Sequence, residues 1–246
     1  EPSPPSISLS LSIDGRTVTA PHGATIWEAA RDAGIDIPVL CHDARLRPVG
    51  VCRMCVVDVG GRVLAPSCVR AVEPGMAVST ASEKVERHRA MLARLLLADH
   101  PSPCAKERTT ADCALEALGR RYGVGPDEIL QRAGARSEDS SSPVIAVDHQ
   151  ACILCDRCIR GCNDVQSNEV LGRSGKGYLT RIAFDLGRPM GDSSCVSCGE
   201  CAAVCPTGAL THKTLSAPLR PKAELGAIDS VCPYCGAGCV LDYSVA

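Results

Sequence analysis

The sequence predicts an α+β fold assembled from successive small units, each tied together through its cysteines. Three observations predict it. The 246 residues include 17 Cys but only one Trp and one Phe, so the chain is poor in the large rings that fill ordinary cores. Two runs, at 152–162 and 195–206, repeat the spacing C-x2-C-x2-C-x3-C, and Pro206 follows the second. Apolar residues alternate with serines near the amino terminus (Ile7, Leu9, Leu11, Ile13), as in a half-buried strand, and recur at helical spacing between residues 85 and 96.

Composition excludes several function classes. The net charge is −2, which makes no electrostatic case for nucleic acid or an anionic membrane. No apolar run approaches the roughly 18 residues that a membrane-spanning helix needs. No signal peptide is visible, although the chain begins at Glu1 and not at Met, so its true start is expected upstream. So many thiols favour a reducing compartment, and the cytoplasm is the expected location.

The first unit is placed at residues 1–80. Residues 1–6 (E-P-S-P-P-S) read as a disordered leader. The alternating strand then meets Asp14-Gly15, a hairpin signal, and returns over residues 16–20. Thr25 and Glu28 have the spacing of a capping box, opening a helix that ends near Gly34. Strand, hairpin, strand, helix and a cysteine loop follow the order of a β-grasp ferredoxin. Its loop carries Cys41, Cys52, Cys55 and Cys68, the layout C-x10-C-x2-C-x12-C. A wide gap, a close pair and a distant fourth thiol suit a [2Fe–2S] cluster, although the spacing is not the plant type. Gly50 would let backbone N–H groups approach the sulfurs, and Arg53 would offset the cluster's charge. A four-Cys zinc site is the alternative. Residues 75–78 are expected as a closing strand.

A helical segment is placed at 81–135. Residues 83–98 show helical periodicity that Pro101 ends, with Met91 expected in the core. His100, Cys104 and Cys113 match three positions of H-x3-C-x2-C-x5-C, a pattern that holds a [4Fe–4S] cluster in some iron–sulfur families. Glu107 stands at the fourth position, and a carboxylate is a hard ligand for a soft iron–sulfide cube. Three outcomes stay open here: no cluster, a cluster with Glu107 or solvent at one iron, or a three-iron form. Loss or weakening of the site is the expectation. Two short helices are expected at 112–122 and 126–134.

Residues 136–142 read as a linker by composition, and a second ferredoxin unit is placed at 143–215. C-x2-C-x2-C-x3-C, doubled, is the spacing by which two [4Fe–4S] clusters are held, each run's fourth Cys serving the other cluster. One cluster is therefore assigned to Cys152, Cys155, Cys158 and Cys205, the other to Cys162, Cys195, Cys198 and Cys201. Zinc sites use two separated pairs, and adjacent C-x2-C thiols are poorly placed for disulfides. Residues 178–184 are β-rich and expected to pair. Arg157 and Arg160 are either solvated surface charges or tune the cluster and dock a partner.

The last unit, 216–246, begins as a mobile stretch with Pro218 and Pro221. It then reaches Cys232, Cys235 and Cys239, C-x2-C-x3-C. Three thiols of a further [4Fe–4S] site are expected there, with the fourth ligand beyond Ala246; a zinc knuckle or a redox pair is the alternative. With these sets assigned, no Cys is left over.

These motifs carry a resemblance over nearly the whole chain. G-V-C-R-M-C at 50–55, the His100 segment and the doubled run resemble the iron–sulfur region shared by the complex I large subunit, the diaphorase small subunit of bidirectional NiFe hydrogenases and iron-only hydrogenases. S-V-C-P-Y-C-G-A-G-C at 230–239 resembles the start of the molybdopterin domain of formate dehydrogenases. Together they look like the alpha subunit of cytoplasmic NAD-dependent formate dehydrogenase. That resemblance implies an electron relay from a Mo or W bis-pterin centre, in the remainder of the catalytic subunit, to an FMN/NAD-binding beta subunit. Catalytic residues would then lie outside this chain. The hydrogenase diaphorase subunit and complex I remain the alternative.

Overall fold

The computed structural model describes residues 8–125, 136–213, 224–233 and 237–245. The leader at 1–6, the helix expected at 126–134, the stretch around Pro218 and Pro221, and Cys235 lie outside the described residues.

Strands β1 (Ser8–Ile13) and β2 (Arg16–Pro21) form an antiparallel hairpin in the register Ile13↔Arg16. Asp14 and Gly15 both take positive φ, 49° and 79°, the requirement of the turn that matches strand twist. Helix α1 (Ile26–Asp32) starts at Thr25, whose hydroxyl accepts from Glu28 N–H while the Glu28 carboxylate accepts from Thr25 N–H. Strands β3 (Val56–Val57) and β4 (Ala65–Pro66) pair beside the cysteine loop, and β5 (Ala77–Val78) runs parallel to β1, giving the sheet order β2-β1-β5. Leu11, Ile13, Val18 and Ala20 point inward against Ile26, Ala29 and Ala30 of α1, while the serines of β1 alternate outward. Cys55 and Cys68 belong to this same core, so strand alternation seats the thiols. Asp14 ties the turn to the end of β5 by accepting from Thr80 N–H at 2.7 Å.

Helix α2 (Glu83–Leu97) is capped by Ser82 and buries Val85, Arg89, Ala93 and Leu97, a stripe at i+4 spacing. That stripe turns Met91 and Leu95 outward, 53 % and 62 % exposed, which corrects the core position expected for Met91. Arg89 is buried and donates to the carbonyls of Met54 (3.2 Å) and Val56 (2.8 Å), stapling α2 to the cysteine loop. Helices α3 (Ala105–Thr109) and α4 (Ala114–Arg121) follow, with Cys104 and Cys113 as their N-cap residues. A Cβ on Gly119 would meet Leu97 Cδ1 at 2.8 Å, so glycine permits the close crossing of α2 and α4.

The stretch read as a linker is part of the second unit. Strand β6 (Glu138–Asp139) pairs with β7 (Ile145–Asp148), and β10 (Leu210–His212) covers the other edge of β7. Its residues do not all stay solvated: Ser142 is buried and Asp139 accepts from Met190 N–H at 2.7 Å. Between these strands lie α5 (Arg157–Arg160), which runs on into a wider helical turn over Gly161–Val165, the hairpin β8 (Leu171–Ser174) and β9 (Arg181–Phe184), and α6 (Glu200–Ala203). Gly161 faces Glu200 and Val204 so closely that a Cβ would sit 3.2 Å from each, which brings the two cysteine runs side by side. A final hairpin joins β11 (Gly226–Val231) to β12 (Val240–Val245).

Candidate iron–sulfur sites

The loop after α1 brings its thiols together. Cys55 and Cys68 sulfurs are 3.4 Å apart, and Cys52 Sγ accepts from the backbone N–H of Cys41 (3.4 Å) and Met54 (3.5 Å). Those donors are the backbone approach expected of this loop, and Gly50 and Arg53 allow it with φ of 62° and 59°. Hydrogen bonds from Cys52 and Cys68 pull the Cys41 thiol down to about 2, and Cys68 pulls Cys55 down to about 7, while Cys52 and Cys68 are pushed up. Arg53 is exposed.

The doubled run builds two small cavities, one for each set of four thiols. One is lined by Cys152, Cys155, Cys158 and Cys205, with Ile182 and Leu210 among its apolar walls. The other is lined by Cys162, Cys195, Cys198 and Cys201, with Phe184 and Met190. The crossing has a local cause. In each run the residues at the same two places, Leu154 and Asp156, Ser197 and Gly199, have positive φ, which curls three thiols around one space. The short helix then carries the fourth thiol toward the neighbouring space. Burial pushes the Cys152 thiol up to about 11 and Cys201 up to about 12, and raises Cys155 and Cys158 as well. Four converging soft donors in an apolar wall fit a cubane cluster, whose thiolate ligation would offset that cost.

Arg157 and Arg160 are not solvated surface charges. Arg160 is 5 % exposed and donates to the carbonyls of Cys41 (2.6 Å), Arg47 (2.6 Å) and Cys155 (3.2 Å). Arg157 pairs with Asp43 and donates to Leu40 O at 3.4 Å. Both fasten the Cys41 loop to the first cavity.

His100, Cys104 and Cys113 converge, joined by a residue that sequence reasoning missed. Glu116 Oε1 lies 3.5 Å from His100 Nε2, Cys113 Sγ lies 3.6 Å from the same nitrogen, and all four residues are buried. The signal for Glu116 was its place three residues after Cys113 on the inward face of α4. Burial raises the Glu116 carboxyl, and Cys113 pulls the Cys104 thiol down to about 3 while its own rises. Glu107 turns elsewhere: it accepts from Cys113 N–H (3.2 Å) and pairs with Arg120 (2.7 Å).

In the last hairpin, Cys232 N–H donates to Cys239 O at 2.8 Å, which closes the loop between β11 and β12. Cys232 is half-buried and Cys239 exposed.

Residues 6–83 match the family of 2Fe-2S iron-sulfur cluster binding domains, and residues 142–211 match the ferredoxin-like domain of NADH-quinone oxidoreductase subunit 3. A chain in the crystal structure of an NAD+-reducing [NiFe]-hydrogenase in the H2-reduced state superposes with a TM-score of 0.78 at 32% identity, over 86% of this chain and 91% of that one. The chain belongs to the same family as that hydrogenase chain, and its second ferredoxin unit to the ferredoxin-like domain of NADH-quinone oxidoreductase subunit 3. Relatives in this family include the NADP-reducing hydrogenase subunit HndD of Solidesulfovibrio fructosivorans, 39% identical over 83% of this chain. The NADPH-Fe(3+) oxidoreductase subunit alpha of Geobacter sulfurreducens is 34% identical over 96% of it. NADH-quinone oxidoreductase subunit 3 of Thermus thermophilus is 30% identical over 93% of it. The chain spans 36%, 28% and 33% of the length of these three relatives.

Membership of this family accounts for the 2Fe–2S and 4Fe–4S domains. The family reaches across oxidoreductases with different terminal reactions, so the narrower resemblance to formate dehydrogenase rests on residues 230–239. Among the described residues, no helix is long and apolar enough to cross a membrane.

Proposed function

We propose that this chain is the electron-relay region of a larger NAD(P)-linked oxidoreductase subunit. The observation that carries the reading is the pair of adjacent cavities, each lined by three thiols of one cysteine run and the last thiol of the other. Cys152, Cys155, Cys158 and Cys205 would hold one [4Fe–4S] cluster, Cys162, Cys195, Cys198 and Cys201 the second, and Cys41, Cys52, Cys55 and Cys68 a [2Fe–2S] cluster. Bound there, clusters supply one-electron redox chemistry that no side chain can. The chain's own residues set the spacing, exclude water and supply N–H groups to the sulfurs. Arg160 holds the Cys41 and Cys155 loops in one arrangement.

The finer reading is the alpha subunit of a cytoplasmic formate dehydrogenase. C-P-Y-C-G-A-G-C at 232–239 supports it, with Cys232, Cys235 and Cys239 as three ligands of a further [4Fe–4S] cluster. The remainder of the catalytic subunit would hold the Mo or W bis-pterin centre, and an FMN/NAD-binding subunit would be the partner. A second reading, the diaphorase subunit of an NAD-reducing hydrogenase, is favoured by the fold match over 91% of a chain of an NAD+-reducing [NiFe]-hydrogenase.

The test uses the complete polypeptide purified anaerobically with its partner subunits. Full occupancy of the three complete sets corresponds to about ten iron atoms with matching acid-labile sulfide. Formate, hydrogen and NADH are then offered separately while visible bleaching and paramagnetic signals are followed. Reduction by formate supports the finer reading, and reduction by hydrogen the second. A colourless protein without labile sulfide would refute the relay itself.

A further inference from the structure

We propose that His100, Cys104, Cys113 and Glu116 bind a single tetrahedral zinc ion in place of a cubane cluster. This goes beyond the relay reading, which does not use these residues.

The geometry carries it. One ligand atom from each residue lies within 4.8 Å of every other, and all four residues are buried. His100 Nε2 stands 3.6 Å from Cys113 Sγ and 3.5 Å from Glu116 Oε1. Zinc bonds of about 2.3 Å to sulfur and about 2.0–2.2 Å to nitrogen and oxygen put tetrahedral ligands roughly 3.3–3.8 Å apart. A cubane sets its four ligands on the corners of a larger tetrahedron, outside four irons, so this set is drawn too close for one.

The donor chemistry agrees. A cubane pattern needs a third thiolate, and the residue at its place, Glu107, is engaged with Arg120 and Cys113 N–H. The fourth donor comes instead from Glu116, one helical turn past Cys113. A second oxygen, Glu116 Oε2, accepts from Ser102 Oγ at 3.0 Å, and Oε1 accepts from Cys104 N–H at 2.8 Å. Such outer hydrogen bonds orient a ligating carboxylate. Two soft sulfurs, an imidazole and a carboxylate are ordinary zinc donors, and four protein ligands with no open position define a structural site.

The position explains what the ion would do. It would join the end of α2 to the first turns of α3 and α4. The same corner is locked to the second ferredoxin unit: Ala114 N–H donates to Pro206 O at 2.8 Å and Lys106 Nζ to Cys205 O at 2.8 Å. A redox-silent ion here would brace the Cys205 segment without taking part in electron transfer.

The experiment is zinc-edge X-ray absorption, with zinc and iron analysis, on the complete polypeptide purified anaerobically and supplied with zinc. Expected are about one zinc per chain and a shell of two sulfurs and two nitrogen or oxygen atoms. Cys104→Ala and Glu116→Gln should each lose that zinc with iron unchanged, and Glu107→Gln should keep it. The absorption measurement on the unmodified protein stands even if a variant fails to fold. Absence of stoichiometric zinc, a four-sulfur shell, or a loss of about four irons in Cys104→Ala would overturn the proposal, as would loss of zinc in Glu107→Gln. None of these outcomes alters the iron expected at the other sites, so the proposal can fail while the relay stands.

Discussion

A single nitrogen of Arg160, Nη2, donates to the carbonyl of Cys41 at 2.6 Å and to that of Cys155 at 3.2 Å, two residues that belong to different cysteine sets. Its other terminal nitrogen holds Arg47 O at 2.6 Å. Its Nε donates to Asp156 O at 3.2 Å, and four carbonyls around a buried guanidinium need a planar fork that a lysine cannot reproduce. Arg160→Lys should therefore behave nearly as badly as Arg160→Gln. Each is expected to lower stability by about 1.5–3 kcal/mol, the range for hydrogen bonds to a charged group. Melting curves at a fixed scan rate check it, and a lysine variant that melts like the unmodified protein would show that charge alone suffices.

The crossed sets make a pairing prediction. Cys162→Ser should disturb the same paramagnetic signal as Cys195→Ser, and Cys205→Ser the same as Cys155→Ser. Iron analysis of each variant should fall by at most about four atoms. If Cys162→Ser instead shares its signal with Cys155→Ser, each run serves its own cluster and the two cavities do not report the ligation.

Gly208 sits where the second ferredoxin unit presses on α3. A Cβ there would lie 2.9 Å from Ala105 N and Cys104 Sγ and 3.0 Å from Lys106 N. Two of those atoms are backbone and cannot swing away. Gly208→Ala should cost about 1–3 kcal/mol through overpacking, read as a lower melting temperature. An unchanged value would mean that α3 shifts freely.

His149 supplies a pH dependence. Burial lowers its pKa below the usual 6.5, helped by Arg181 and Arg136 and opposed by Asp139 and Asp148. The folded state therefore resists protonation more than the unfolded chain does. Its contribution is intact above about 6.5, the unfolded value, and is lost as pH falls below it. Melting temperatures between pH 7.5 and 5.5 should decline on acidification, less steeply in His149→Gln. Equal slopes in the two proteins would assign the decline to other groups.

Much of the site was legible along the chain, because ligand spacing and caps are local. Thr25 and Glu28 bond each other across one turn, and C-x2-C-x2-C-x3-C places three thiols around one space whatever surrounds them. Met91 misled because helical periodicity alone does not say which stripe faces inward; Arg89, anchored to Met54 and Val56 carbonyls, turned the helix. The seryl stretch at 136–142 misled because composition reports solvation, while β7 offered an open edge for Glu138–Asp139 to pair with.

By itself the sequence determined which thiols can share a space, and the strand, turn and capped helix that lead to them, since each follows from residues a few positions apart. Only the tertiary structure decided that Arg160 is a buried clamp on Cys41, 119 residues away, that Glu116 and not Glu107 completes the set around His100, and how the two cysteine runs face each other. Those outcomes depend on which distant backbone carbonyls and side chains packing leaves within hydrogen-bonding or ligand reach, and no local spacing encodes that.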